Sequence, residues 1–455
     1  MRHRRTGLAL VITASLVAAA CGSDDGGDSD VAPADTAETS ETSEAPVSEE
    51  PSETTTVEET VAEPAAEPAT GEPIQIGWLT DATSVTRGTY YPEYEGARLY
   101  FEELNQAGGI NGRPVEILVE DMKIDAELAV TAATKLLQND DVIMLAGGTI
   151  EGRMPPIFDV VRAEGAPFLT GHSARPDMFP DAPDPLLFTV GNVFEAMSDA
   201  RVEVWPQLFG PEFPDGGTSA CYIHESPAAV VVCDRWLAEQ AIATPEWQPG
   251  VIASAPLQTT DFTPFVRPVV DSNPTVFFDI SIASHAIGVA VTARNLGYAG
   301  PIAFSMTATP EPDIDEVIDQ VGGENIYAIS NIVSIDETDV PEVQRLLDAA
   351  EEHGTEIDPS SATLNGWLMG MVIADSLERC GENCDRAAMR DALEETDIDT
   401  RGVTGGNFAF SPTDHVGLRY WTGYKYDTDQ EALVRAIDGW TTFDNATDLL
   451  APLGG

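Results

Sequence analysis

From Ile74 onward, short apolar runs alternate with stretches whose apolar residues recur at helical spacing. Ile74 to Leu79 reads as a strand, and Tyr94 to Gln106 as a helix with Ala97, Leu99, Tyr100, Phe101 and Leu104 on one face. Gly108, Gly109, Asn111 and Gly112 predict a turn, Val115 to Val119 a strand, and Ala126 to Leu137 a helix. The cycle repeats with Val142 to Leu145, Ile157 to Ala163, and Phe168 to Leu169. A second series follows, with strands at Ala220 to Ile223, Val251 to Ile252, Val276 to Ile280, Ile302 to Phe304 and Ile326 to Ile329. Helices near Val230 to Ala241, Phe262 to Val270, Ala286 to Leu296 and Ile314 to Val321 separate them. Helices at Leu364 to Arg379 and Arg386 to Glu394, then a strand at Arg419 to Tyr426, complete the pattern. This rhythm predicts an α/β protein with two open parallel sheets rather than one long one.

Upstream the pattern changes twice. Residues 1–21 carry Arg2, Arg4 and Arg5, a largely apolar run from Leu8 to Ala20, and then Cys21. Thirteen residues are too few to span a bilayer, so the segment reads as a signal peptide. Val17 to Cys21 fits a bacterial lipoprotein cleavage site with lipid on Cys21, although Ala18 stands where a larger aliphatic residue is usual. The alternative is an ordinary secretory peptide. Residues 22–73 hold 16 acids, no base and no aromatic side chain. Such a segment buries too little apolar surface to offset its ordering entropy, so it is expected to be a disordered tether, roughly 40 Å long as a coil.

The whole chain carries 77 acids against 23 bases, a net charge of −54. A surface this negative repels phosphate backbones, which argues against nucleic acid as a partner. With Cys21 lipidated, Cys221, Cys233, Cys380 and Cys384 remain, an even number in an oxidising compartment. Three residues separate Cys380 from Cys384 and no His stands nearby, which favours a local disulfide over metal; Cys221 and Cys233 are expected to form the other. No phosphate-binding loop ends in Lys-Ser or Lys-Thr, so an ATPase would be a separate subunit. Gly171-His-Ser-Ala-Arg175 superficially matches a nucleophile elbow, but Arg175 and Pro176 replace its closing glycine turn. A serine hydrolase is therefore a minor alternative, and the six scattered histidines imply neither metal nor cofactor.

Several stretches carry a family resemblance. Glu103-Leu-Asn-Gln-Ala-Gly-Gly-Ile-Asn-Gly-Arg-Pro-Val-Glu-Ile117, then Glu120-Asp121 and the helix ending Lys135-Leu-Leu137, are one group. Ala163-Glu-Gly-Ala-Pro167, Leu187-Phe-Thr-Val190 and Met389-Arg-Asp-Ala-Leu-Glu-Glu-Thr396 are the others. From Ile74 to about Tyr426 the chain resembles the branched-chain amino acid type of periplasmic binding protein. The resemblance implies a type I periplasmic-binding fold of two Rossmann-like lobes, joined by three crossing segments near Val190, Ile332 and Phe410. Lobe 1 would comprise 74–191 with 333–408, and lobe 2 would comprise 192–332 with 409–440. The ligand would lie between them at the carboxyl ends of the strands. The implied protein is a monomeric, non-enzymatic, extracytoplasmic lipoprotein that delivers solute to an ABC permease and its ATPase. A lipid-anchored sensor for a separate signalling partner is the alternative.

The resemblance also points to loops. In the family, hydroxyls after the third and fourth strands grip an amino acid's carboxylate. Here Ile150 and Glu151 stand where paired serines are usual and Ala174 where a threonine is usual, which leaves Thr149 and Ser173, beside His172, as candidates. A carboxylate at Glu151 would repel a ligand carboxylate unless Arg153 or Arg175 paired with it. In the second lobe the run from Ser305 through Met306 to Thr309 lacks the acid that usually pairs with the ligand's ammonium. Tyr90 and Tyr91 in the first loop, and Glu225, Ser281 and His285 in the second lobe, are the remaining candidates. These departures predict that leucine, isoleucine and valine bind weakly or not at all, and that the solute is another small polar or amphipathic molecule, an amino acid or a related compound.

Overall fold

The computed structural model describes residues 67–150, 153–171, 184–191, 203–225, 230–306, 308–355, 357 and 359–442. The signal segment and Cys21 lie outside them. The last residues of the acidic stretch do not behave as a tether. Ala69 and Gly71 donate backbone hydrogen bonds to the carbonyls of Asn105 and Gly112, and the Arg113 guanidinium holds the carbonyls of Glu72 and Pro73. Composition suggested a free segment up to Pro73; backbone pairing, which composition cannot register, brings its end onto the folded part.

The first sheet is wholly parallel. Its strands are β1 (Ile74–Thr80), β2 (Val115–Asp121), β3 (Leu145–Gly147), β4 (Phe168–Thr170) and β5 (Leu187–Thr189), in the order β2-β1-β3-β4-β5. The connecting helices are α1 (Arg87–Gln106), α2 (Ala126–Thr134, continued by a wider π turn over Lys135–Asn139) and α3 (Pro155–Glu164). Side chains alternate between faces: Ile76 and Trp78 enter one core cluster, while Leu79 joins Leu145, Phe168 and Leu187 in another.

The second sheet runs β14-β13-β10-β9-β8-β6-β7. Its strands are β6 (Gly217–His224), β7 (Trp247–Ala255), β8 (Val276–Asp279), β9 (Ile302–Ser305), β10 (Ile326–Ser330), β13 (Tyr420–Asp427) and β14 (Ala432–Arg435), with β15 (Thr441–Thr442) beside β13. Strands β6 to β10 are parallel, and β13 closes antiparallel on β10. Helices α4 (Val230–Ala243), α5 (Thr263–Ser272), α6 (Ala283–Asn295) and α7 (Glu311–Val321) cover it. The short pair β11 (Asp397–Ile398) and β12 (Phe408–Ala409) stands apart.

After β10 the chain returns to the first lobe. Helices α8 (Pro341–Glu352), α9 (Ser361–Cys380) and α10 (Arg386–Glu394) pack into the core containing Ile76 and Trp78. Helices α1 and α9 meet very closely: a Cβ on Gly366 would lie 1.8 Å from the Glu93 carbonyl oxygen, and one on Gly96 1.9 Å from that of Thr363. Only glycine fits such a crossing. The return to the second sheet falls later than the expected crossing near Phe410. Phe408, Phe410 and Leu418 belong to the first core, Phe410 packs 5.3 Å from Phe188, and Thr189 pairs with Val416. The chain joins the second sheet only at Tyr420.

Both expected disulfides are present. Cys221 on β6 bridges Cys233 on α4, and Cys380 at the end of α9 bridges Cys384. No helix among the described residues is long and apolar enough to cross a membrane.

Candidate binding cleft

Parallel strands place their following loops at one edge, so the ends of β1, β3 and β4 on one lobe, and of β6, β8 and β9 on the other, bear the candidate site. On the first lobe the organising group is Asp81, which follows β1 and is fully buried. One carboxylate oxygen accepts the Ile124 N–H at 2.8 Å; the other accepts the hydroxyls of Thr86 at 2.8 Å and Thr149 at 2.5 Å. Three separate loops thus converge on one carboxylate. Burial raises the Asp81 pKa, against the lowering effect of those hydrogen bonds.

The convergence holds unusual backbone in place. Lys123 and Ile124 have φ of 54° and 58°, a region costly for a β-branched residue. The bond from the Ile124 N–H to Asp81, and one from Arg153 Nε to the Ile124 carbonyl at 3.2 Å, offset that cost. Gly147 ends β3 at φ 87°, where a Cβ would lie 2.2 Å from the Leu79 carbonyl oxygen, so the turn into Thr149 requires glycine.

Beneath the end of β4, the buried Glu93 accepts from Asn365 Nδ2 at 2.7 Å, and the same amide donates to the Gly171 carbonyl at 2.8 Å. This contact joins α1, α9 and the start of the His172 loop. On the second lobe, Asp279 ends β8 fully buried and accepts both the N–H and the hydroxyl of Ser281. Burial pushes the Asp279 pKa up to about 7, with the two Ser281 bonds opposing it. The Ser281 carbonyl accepts the Thr309 hydroxyl at 3.2 Å, which ties the loops after β8 and β9 together.

The lobes also touch near these loops. Thr89 Oγ1 on α1 donates to the Ala308 carbonyl at 3.4 Å. Glu311, in the first turn of α7, accepts the Ser334 hydroxyl and Ile335 N–H through one oxygen and the Ser361 N–H, at the start of α9, through the other. A buried carboxylate thereby joins the second lobe to a crossing segment and to the first lobe, with the α9 dipole favouring its charge.

The sequence-predicted residues distribute unevenly. Thr149 lies within this network, and Ile150 beside it is 4% exposed. Tyr90 and Tyr91 are not in a loop: α1 begins at Arg87, so they occupy its early turns, Tyr90 buried and Tyr91 beneath the Arg87 guanidinium at 4.3 Å. The helix thus begins before the expected Tyr94 and includes Pro92, since a proline near a helix amino terminus removes few intrahelical bonds. Ser281 and Ser305 are buried at the ends of β8 and β9, and Met306 packs into the core under α6 and α7. Glu225 is exposed beyond β6, its N–H on the Ala255 carbonyl.

His285 is a core residue rather than a group at the mouth. It is 1% exposed, its Nε2 faces the Leu257 carbonyl at 3.2 Å and its Nδ1 the Tyr222 hydroxyl at 3.0 Å. A carbonyl only accepts, so Nε2 carries the proton and Nδ1 receives that of Tyr222. Burial takes the His285 pKa down to about 4, and the ring is neutral. Glu151, His172, Ser173 and Ala174 lie outside the described residues. Asp81, Glu93, Asp279 and Glu311 were not anticipated; for Asp81 and Asp279 the available signal was an acid immediately after, or at the end of, an apolar strand, whereas Glu93 and Glu311 lie in helices and carried none. No cluster of metal-ligating side chains occurs among the described residues.

Two parallel-sheet lobes that present strand-end loops to one another define a two-lobed binding protein. Residues 73–431 match the periplasmic binding protein family, and the chain belongs to it. A leucine-, isoleucine-, valine-, threonine- and alanine-binding protein of Pseudomonas aeruginosa is 31% identical over 83 residues. That stretch is 18% of this chain and only 22% of the relative's length. An ABC transporter substrate-binding protein from Sphaerobacter thermophilus is structurally similar at TM-score 0.69 with 20% identity, over 82% of this chain and 99% of that one. A fatty acid ABC transporter substrate-binding protein from Thermomonospora curvata gives TM-score 0.65 with 17% identity, over 84% of this chain and 94% of that one. Both likenesses show the type I fold.

Proposed function

We propose that this protein is the extracytoplasmic, lipid-anchored solute-binding component of an ABC importer, which captures a small polar or amphipathic solute by lobe closure and hands it to a permease driven by separate ATPase subunits. The observation that carries the reading is the pair of strand-end loop sets that meet across the lobes, tied by Thr89 to Ala308 and by Glu311 to Ser361. Such contacts let two lobes enclose a ligand and re-form on closure. Lobe 1 is taken as 74–191 with 333–418, and lobe 2 as 203–332 with 420–442. The signal segment with Cys21 and the acidic stretch after it supply the anchor and tether.

Free α-amino acids do not suit the site. Ile150 and Ala174 offer no hydroxyl, Glu151 adds a negative charge, and the Ser305 to Thr309 run has no carboxylate for an ammonium. The test is cross-linking of the full chain in intact membranes, with Cys21→Ser as a comparison. Capture of permease subunits by the wild type, together with release of Cys21→Ser from the membrane fraction, supports the reading. Capture of a kinase, or unchanged membrane association of Cys21→Ser, counts against it.

A further inference from the structure

Six hydroxyls in the segments that follow the strands share one property: each gives its proton to the protein. Thr86 and Thr149 donate to Asp81, Thr83 to Asp121, Ser281 to Asp279, Thr309 to the Ser281 carbonyl, and Thr89 to the Ala308 carbonyl. A hydroxyl has one proton and two lone pairs, so each of these groups can meet a solute only as an acceptor. Thr149 is the sharpest case. It stands directly after the Gly147-Gly148 turn in the loop expected to grip the ligand, yet its proton lies on a carboxylate at 2.5 Å.

We propose that Asp81 is a specificity-determining residue that makes the first-lobe wall of the cleft a hydrogen-bond acceptor, so that the solute presents hydroxyl or N–H donors there and not a carboxylate. The inference rests on the reading of this cleft as the solute site. Asp81 acts in two ways. It takes the protons of Thr86 and Thr149, and it sets a buried negative charge behind them, which repels an anionic end and favours a neutral or cationic one. The solute class is therefore a polyhydroxylated, amide-bearing or ammonium-bearing compound with its donors directed to the first lobe.

Asp81→Asn reverses the polarity with little change in shape. The Asn oxygen can still accept the Ile124 N–H, while its NH2 group takes the place of the oxygen that faces both threonines. That group donates to their oxygens; the Thr149 proton turns outward, while that of the buried Thr86 passes to Ser84 Oγ at 2.7 Å. One new donor and the loss of one charge are expected to improve capture of a carboxylate at least tenfold, the factor that about 1.4 kcal/mol provides.

The experiment incubates the full chain with a bacterial small-molecule extract spiked with leucine and benzoate. Free solutes are removed by desalting, and the compounds released on denaturation are identified by mass spectrometry. Wild type is expected to release a donor-rich compound and neither spiked carboxylate, whereas Asp81→Asn, shown folded by circular dichroism, gains leucine or benzoate. Thr149→Val leaves Asp81 in place and is expected to lose the wild-type compound, which a merely bracing Thr149 would not cause. Release of leucine, benzoate or another simple carboxylate by wild type overturns the inference and leaves the solute-binding reading intact. Release of nothing by folded wild type overturns the solute-binding reading itself.

Discussion

Asp279→Asn should stabilise the protein, and increasingly so as pH rises. An ordinary aspartate ionises near 3.8, whereas burial keeps Asp279 protonated up to about 7. A carboxyl group whose folded pKa is raised stabilises the fold fully at pH values below 3.8. That stability is lost as pH climbs, because the unfolded chain ionises first, and the loss is complete above about 7. At about 1.4 kcal/mol per pH unit, the buried charge costs about 4 kcal/mol at pH 8. The second carboxylate oxygen has no hydrogen-bond partner among the described residues, so Asn, which keeps the acceptor for Ser281 and carries no charge, mimics the protonated acid. Urea unfolding of the oxidised protein, followed by tryptophan fluorescence, measures the difference between variant and wild type. That difference is expected to grow in favour of the variant by about 2 to 3 kcal/mol between pH 5 and pH 8. A constant difference, or a variant less stable than wild type at pH 8, would show that Asp279 is ionised and compensated, and the reasoning would fail.

Three further outcomes follow from the geometry. Gly366→Ala forces α1 and α9 apart at the Glu93 carbonyl and should lower the unfolding free energy by at least about 3 kcal/mol, read from the urea midpoint; a loss under about 1 kcal/mol would mean that the crossing relaxes freely. Replacing Cys221 and Cys233 together by Ser should cost about 3 kcal/mol from loop entropy, and the Cys380 and Cys384 pair about 2, so equal losses would contradict the chain-entropy argument. Titration calorimetry with leucine, isoleucine and valine should give dissociation constants no tighter than about a millimolar, whereas a micromolar constant would show that backbone amides replace the missing hydroxyls.

The α/β rhythm was legible because strands buried on both faces are short apolar runs, and helices on sheets carry one apolar stripe. Arg386–Glu394 was located to the residue, and β8, β9 and β10 to within one residue at their ends. Helix α8 escaped notice because its apolar face is thin, with Val343, Leu346 and Ala349 buried among acids. The short strand β3 was placed too early, since Val142 and Met144 are as buried as Leu145 but precede the residues in register with β1, which begin at Leu145. The cleft was legible only as a set of loops. Whether Thr149 turns to a ligand or to Asp81 depends on a partner 68 residues away, and pairing over that distance leaves no mark in local composition. Likewise His285 read as a polar group near a strand end, but Tyr222 and Leu257, brought to it by the sheet, make it part of the core.

Native mass spectrometry of the full chain, purified without denaturation, tests the central claim most directly. A protein that encloses a solute between two lobes should carry a single small-molecule adduct, and the adduct should disappear when Glu311→Gln removes the carboxylate that joins the lobes. Adduct-free protein from cells and from solute-rich medium alike, or a solute retained unchanged by Glu311→Gln, would contradict the account of capture by lobe closure.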